Sequence, residues 1–253
     1  MKNYGYVKTK LYMLLCCIYF LLSSCSGPAP ASKIKDISDI KAEIDAYQSL
    51  TDENDNSVSV ILYDKKGKEF GNDSVQVSVN GKKAEYKVIQ SLYYSKNYNY
   101  RIDDVPQKNG SYNIHIQLSN GKKFLLSNLP SLKTSSSKNI IYNKEGFLNQ
   151  DYSIQWSELH DVNVLYVTKS VKIETKEKDS NIQTFMEQNS DTVKIGPSGN
   201  YTIKKERFSK PGEMLSILGF QFTAEKTGTL NPNLLKGSSS KIRGYHEERV
   251  NFK

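Results

Sequence analysis

From residue 39 onward, apolar and polar positions alternate with a period of two rather than 3.6. Val58, Val60 and Leu62 alternate with Ser57, Ser59 and Ile61; Val75, Val77 and Val79 with Gln76 and Ser78; Tyr112, Ile114, Ile116 and Leu118 with Asn113, His115 and Gln117. Such alternation turns one set of side chains to a core and the other to water, the mark of half-buried antiparallel strands. Asn80-Gly81 and Asn120-Gly121 read as two-residue type I′ hairpin turns, which need positive φ at both positions; Lys66-Gly67 and Asn109-Gly110 are weaker signals. Strands are predicted over 42–49, 57–63, 74–80, 84–90, 97–103, 111–118 and 122–127. Residues 33–50 read two ways. Ile34, Ile37, Ile40, Ile44 and Tyr47 fit a helical stripe, whereas Ile40, Ala42, Ile44 and Ala46 alternate as a strand, the preferred reading.

Seven short strands at this spacing predict an immunoglobulin-like sandwich over 39–130. Residues 130–139, rich in Ser and Lys, break the pattern and mark a junction. Further strands are predicted at 152–156, 162–173, 192–195, 201–205, 215–224 and 249–252, with longer loops at 174–191 and 228–240. Trp156 on an early strand, Tyr166 on the following one and the late strand around Phe220 and Phe222 make residues 140–253 resemble a fibronectin type III-like sandwich. The fold class expected is all-β: two tandem immunoglobulin-like or fibronectin type III-like sandwiches.

The N-terminal 24 residues differ from the rest. Lys2, Lys8 and Lys10, with no acid among them, precede an apolar run over 11–22 that ends at Ser23-Ser24 before Cys25. This is the layout of an export signal, and the run is short of the roughly 20 residues a spanning helix requires. Leu22-Ser23-Ser24-Cys25 resembles the lipobox of bacterial lipoproteins. The resemblance implies cleavage before Cys25, acylation of its thiol, and a lipid-anchored protein of the cell envelope, with Ser26 after the cysteine pointing to the outer membrane. Several acyl chains are needed for firm attachment, since a single chain anchors only marginally. Residues 25–38 are expected to form the lipidated tether, with the Pro-containing stretch 26–32 extended.

Removal of residues 1–24 also removes Cys16 and Cys17, so Cys25 is the one cysteine left and the fold must stand without disulfides. The formal charge of +8 loses the three signal lysines and becomes mild, which with export argues against a nucleic-acid partner. His115, His160 and His246 are scattered, and no metalloprotease, nucleophile-elbow or phosphate-loop motif occurs. No enzyme activity, cofactor or metal is therefore expected. The string Asp52-Glu53-Asn54-Asp55-Asn56 resembles the calcium-binding linker of cadherin repeats, but it lacks that family's companion acidic motifs and reads as a polar turn.

Tyr93, Tyr94, Tyr98 and Tyr100 lie within a few residues of Lys96 and Arg101. Tyr98, Tyr100 and Ile102 share one parity and belong with a core. Tyr93 has the opposite parity, so Tyr93 and its neighbour Tyr94 form the candidate binding surface. Lysines gather at three turns: Lys65, Lys66 and Lys68; Lys82 and Lys83; Lys122 and Lys123. Brought together, they would make a cationic tip for anionic headgroups or acidic polysaccharide; apart, they would be solvated charge that discourages strand pairing. The functional expectation is a membrane-anchored, non-catalytic binding or structural module whose partner is an envelope protein or a glycan. The alternatives are a glycan-binding component of a surface uptake system and an enzyme of unrecognised type.

Overall fold

The computed structural model describes residues 28–90, 96–173 and 184–253. The chain is all-β and sandwich-like, consistent with immunoglobulin-like and fibronectin type III-like folds. Its strands are β1 (Lys41–Gln48), β2 (Asn56–Tyr63), β3 (Gln76–Val79), β4 (Lys82–Lys83), β5 (Glu85–Gln90), β6 (Lys96–Asp103), β7 (Ser111–Gln117), β8 (Lys123–Pro130), β9 (Ile140–Tyr142), β10 (Glu145–Gly146), β11 (Tyr152–Trp156), β12 (Val162–Ile173), β13 (Thr184–Lys194), β14 (Gly199–Ile203), β15 (Ser209–Lys210), β16 (Glu213–Thr227), β17 (Thr229–Leu230) and β18 (Ser239–Phe252). The segment 33–50 resolves in favour of the strand: two short 3₁₀ turns, Ala31–Lys33 and Ile37–Asp39, lead into β1, where Ala42, Ile44 and Ala46 face inward.

One ten-stranded sheet runs β13-β12-β16-β18-β1-β2-β6-β5, with β10 beside β18 and β15 beside β16. A five-stranded sheet, β17-β8-β7-β3-β4, and a three-stranded sheet, β14-β11-β9, complete the architecture. The two sandwiches expected in tandem share the large sheet, because β18 pairs in parallel with β1 from Glu43↔Ser239 to Tyr47↔Arg243 and antiparallel with β16 along most of its length. Since β18 continues well past the end of β1, the C-terminal half lies beyond the N-terminal half along the strand direction. Inward-facing Val58, Val60, Leu62, Ile114, Ile116, Phe220, Phe222 and Val250 belong to one continuous core, each fully buried aliphatic side chain contributing about 1.5–3 kcal/mol.

Several polar side chains inside this core are paired, although Asn99 Oδ1 and Thr223 Oγ1 are buried without a hydrogen-bond partner among the described residues. Gln48, fully buried, accepts at Oε1 from the Leu132 N–H (3.0 Å) and the Tyr112 hydroxyl (3.2 Å), and donates from Nε2 to the Leu132 carbonyl (2.8 Å). These bonds pin the 130–139 crossing to β1. Desolvation pushes the Tyr112 phenol up to about 12. Ser127 and Ser240 bond to each other (2.7 Å) and join β8 to β18.

The turns differ from expectation in one respect. Asn80-Gly81 (φ 50° and 89°) and Asn109-Gly110 (φ 52° and 69°) have positive φ at both positions, and Lys108 and Ser111 exchange both backbone hydrogen bonds across the second turn. At 120–121 Gly121 alone takes positive φ (83°), its N–H donating to the Leu118 carbonyl while the Leu118 N–H donates to Lys122. This is the three-residue loop closed by a left-handed glycine, a geometry that leaves Asn120 free to accept from the Lys122 N–H through its side chain.

The proposed tether is also shorter than the sequence indicated. The Ala29 N–H donates to the Glu69 carbonyl (2.8 Å), and Ala29, Ala31, Ile34 and Ile37 are buried. Residues 29–38 are thus part of the folded body, because their apolar side chains find cover between the 64–70 turn and the 118–122 hairpin.

Candidate binding surface

Cys25, Tyr93 and Tyr94 lie outside the described residues. Of the residues that follow, Tyr98, Tyr100 and Ile102 do share one face of β6, in register with Val88, Tyr86 and Val58 respectively. Tyr100 and Ile102 are buried, while Tyr98 and Tyr86 are half-buried at the outer edge of the large sheet. The Tyr86 ring sits 5.2 Å from that of Tyr100 and lies nearly parallel to Tyr98 at 6.5 Å.

An open cleft of about 470 Å³ lies over these rings, lined by Asp73, Val75, Lys83, Ala84, Glu85, Tyr86 and Tyr100. Four segments build it: the 71–75 loop, β4, β5 and, through Tyr100, β6. The 71–75 loop crosses directly above the aromatics, which requires glycine at its start: a Cβ on Gly71 would stand 2.6 Å from Tyr86 Cε2 and 3.1 Å from the Tyr100 hydroxyl. The Tyr100 hydroxyl accepts from the Asn72 N–H (3.2 Å) and donates to the Asn72 carbonyl (3.1 Å), locking loop to strand. β4 then supplies Lys83, and β5 supplies Glu85 and Tyr86.

Burial, with Tyr98 and Asp73 nearby, raises the Tyr86 phenol above its ordinary range, and burial raises Tyr100 further; both stay neutral and able to donate. Glu85 pairs with Lys87 (3.2 Å), whereas Asp73 and Lys83 make no hydrogen bond or ion pair among the described residues. The cleft thus offers an apolar ring surface with an unengaged carboxylate and ammonium at its rim. The nearness of Asp73 to Tyr86 was hidden in the sequence, since it depends on a loop packing across two strands.

The lysine turns do not form a single tip. The 64–68 turn and the 118–122 hairpin meet around the 3₁₀ turn at Ile37–Asp39, with Lys65 paired to Asp39 (2.6 Å) and Lys122 to Asp36 (3.5 Å). Lys82 is at the other end of β2, donating to the carbonyls of Asp103 and Asp104 (both 3.1 Å). Antiparallel pairing separates them: β2 begins opposite Asp103 and ends at the 64–68 turn.

The acidic string at 52–56 is a turn whose side chains are engaged separately. Asp52 accepts from the Asn54 N–H, Asp55 from the Tyr47 hydroxyl and Glu53 from Gln107, while Asn56 accepts from the buried Val105 N–H. His115 lies on the exposed face of β7, His160 in a loop, and His246 beside Glu248 (3.2 Å) on β18.

A second charged cluster joins the large sheet to β14. Asp191 accepts from Arg207 (2.8 Å) and Tyr201 (3.2 Å), with the largely buried Lys169 ammonium at 3.7 Å. Burial lowers Lys169 from its ordinary value, Asp191 opposing and Arg207 adding to the effect. The three partners converge on one carboxylate oxygen, an arrangement that ties strands together.

No family model and no curated protein matches the chain. Solved structures with some likeness include a cytokine receptor complex (9% identity, TM-score 0.28, covering 83% of this chain and 96% of that one). Another is Bacteroides ovatus mixed-linkage glucan utilization locus SGBP-B in complex with mixed-linkage heptasaccharide (12% identity, TM-score 0.20, 87% of this chain and 62% of that one). A third is pullulanase type I from Bacillus subtilis str. 168 complexed with maltose (11% identity, TM-score 0.20, 75% of this chain and 24% of that one). Likeness at this level assigns neither family nor ligand.

Proposed function

We propose that the chain is a bacterial envelope lipoprotein, anchored through Cys25, whose body is a non-catalytic binding module with the Tyr86 cleft as a glycan-contact surface. The observation that carries the ligand class is the cleft itself. Sugars present a C–H face that stacks on aromatic rings and hydroxyl edges that seek charged or polar partners; the Tyr86 ring offers the first, while Asp73 and Lys83 offer the second. The lipobox-like Leu22-Ser23-Ser24-Cys25 supports the anchoring.

Two measurements on the same cells and protein test the two parts. Metabolic labelling with a fatty-acid analogue should mark the wild type and not Cys25→Ala; equal labelling would overturn the anchor. Binding to a panel of neutral gluco-oligosaccharides should weaken about tenfold in Tyr86→Ala. Unchanged affinity in that variant, or no binding by the wild type, would overturn the glycan reading.

A further inference from the structure

We infer that the end of the body from which Ala29 emerges is a membrane-facing surface that seats on the anionic headgroups of the bilayer holding the anchor. This rests on Cys25 being the anchored residue. Two independent observations carry the inference, the first being length. Ala29 is fixed to the body by its bond to Glu69 and its pairing with Phe70, so only residues 26–28 separate it from Cys25. Even fully extended, the four steps from Cys25 to Ala29 reach no more than about 14 Å. So short a leash keeps the Ala29 end near the bilayer and leaves its seating on the headgroups to be decided by the charge it carries.

The second observation is charge. The surface around Ala29 gathers Lys33, Lys35, Lys65, Lys66, Lys68 and Lys122 from three separate segments. Lys33, Lys66 and Lys68 share one cleft of about 260 Å³ with Ala29, Pro30, Ile34 and Asp64. Asn120 donates to the Lys35 carbonyl (3.0 Å), which brings the 118–122 hairpin to the same end. Lys65 and Lys122 are paired with Asp39 and Asp36, but Lys33, Lys35, Lys66 and Lys68 have no carboxylate within ion-pairing distance among the described residues. Asp64, which lines the same cleft, is engaged by the turn itself, its Oδ1 accepting from the N–H groups of Lys66 and Lys68 (both 2.9 Å). Unpaired ammonium groups held within a Debye length of an anionic leaflet are attracted to it, and the attraction is screened by salt. Acylation therefore sets the place, and the lysines set the orientation, with the N-terminal sandwich next to the bilayer and the C-terminal sandwich pointing away.

The test uses acylated protein purified from membranes, its N-terminal peptide first identified by mass. The sole mature cysteine is then acylated, so Ser32→Cys near the basic end and Met214→Cys in the distal half each introduce one labelling site. Each labelled protein is reconstituted in vesicles of phosphatidylcholine alone or with one third phosphatidylglycerol, together with a headgroup quencher. Strong quenching is expected at residue 32 in anionic vesicles at low salt, and little at residue 214. Quenching at 32 should fall severalfold at high salt, in neutral vesicles and in the Lys33→Glu, Lys66→Glu, Lys68→Glu triple variant, whose substitutions, two exposed and one half-buried, lie outside the core. Acylated protein quenched equally at 32 in all these conditions, or equally at 32 and 214, would overturn the docking and leave the anchor standing. An unacylated N-terminal peptide would overturn both.

Discussion

Among individual residues, Asp161 shows how a single carboxylate can hold a crossing in place. It accepts from the Lys133 N–H (2.8 Å) and meets the Lys226 ammonium at 2.6 Å, while Lys226 also donates to the Ser131 carbonyl (3.1 Å). Burial raises its carboxyl, but Lys226 and the Lys133 N–H outweigh that effect and leave it below the ordinary carboxylate range. A carboxyl depressed in the folded state stabilises the fold fully above its unfolded value of about 4, and that contribution is lost as the pH falls through the lower folded value. Asp161→Asn should therefore lower stability at pH 7 by on the order of 1 kcal/mol, with the deficit shrinking to nothing in acid. Thermal melts of both proteins from pH 7 to pH 2 check this; a deficit that persists unchanged in acid would contradict it.

Among elements, β18 is the strand on which the architecture turns, and it was the least legible in the sequence. Its last few residues were readable, but its first ten, Ser239 to Glu248, place Ser240, Gly244, His246 and Glu248 on the same side as Ile242 and Val250. Small and polar side chains there erase the alternation that exposed β1, β2 and β7, all of which lie within a residue or two of their predicted bounds. The parallel partnership with β1 joins residues nearly two hundred positions apart, and no local pattern encodes it. The same reason hid the cleft: Tyr86 sat on a predicted strand, but its neighbours Gly71 and Asp73 come from a loop whose path is a tertiary outcome. Glycine at 244 is required by the crossing, since a Cβ there would stand 2.5 Å from the Gln48 carbonyl oxygen and 2.6 Å from Leu132 Cδ1. Gly244→Ala should cost about 2 kcal/mol in urea unfolding, because backbone and not a flexible side-chain tip blocks the new methyl. A variant as stable as the wild type would mean that β18 does not cross there so closely.

At the scale of the whole molecule, a shared sheet and a continuous core predict that the N- and C-terminal halves unfold as one thermodynamic unit. Denaturant unfolding followed by Trp156 fluorescence, which reports on the C-terminal half, should coincide with loss of hydrogen-exchange protection in β2 of the N-terminal half. Two separated transitions would show that the halves fold independently despite the β1–β18 pairing. Among the described residues no helix is long and apolar enough to cross a membrane. In the proposed reading, attachment rests on the lipid on Cys25 and on the basic end beside it.

The tyrosines offer the most direct test of the proposed glycan contact, because they are spread over separate surfaces: Tyr86 in the cleft with Tyr98 stacked beside it, Tyr166 and Tyr245 exposed elsewhere on the large sheet. With ring-labelled tyrosine, nuclear magnetic resonance spectra recorded during titration with maltoheptaose and with cellohexaose should show the Tyr86 and Tyr98 ring signals moving together and saturably with at least one of the two sugars. The Tyr166 and Tyr245 signals should stay in place. Ring signals that are all unmoved by both sugars, or that move at Tyr166 and Tyr245 while Tyr86 stays still, would contradict a glycan site in this cleft.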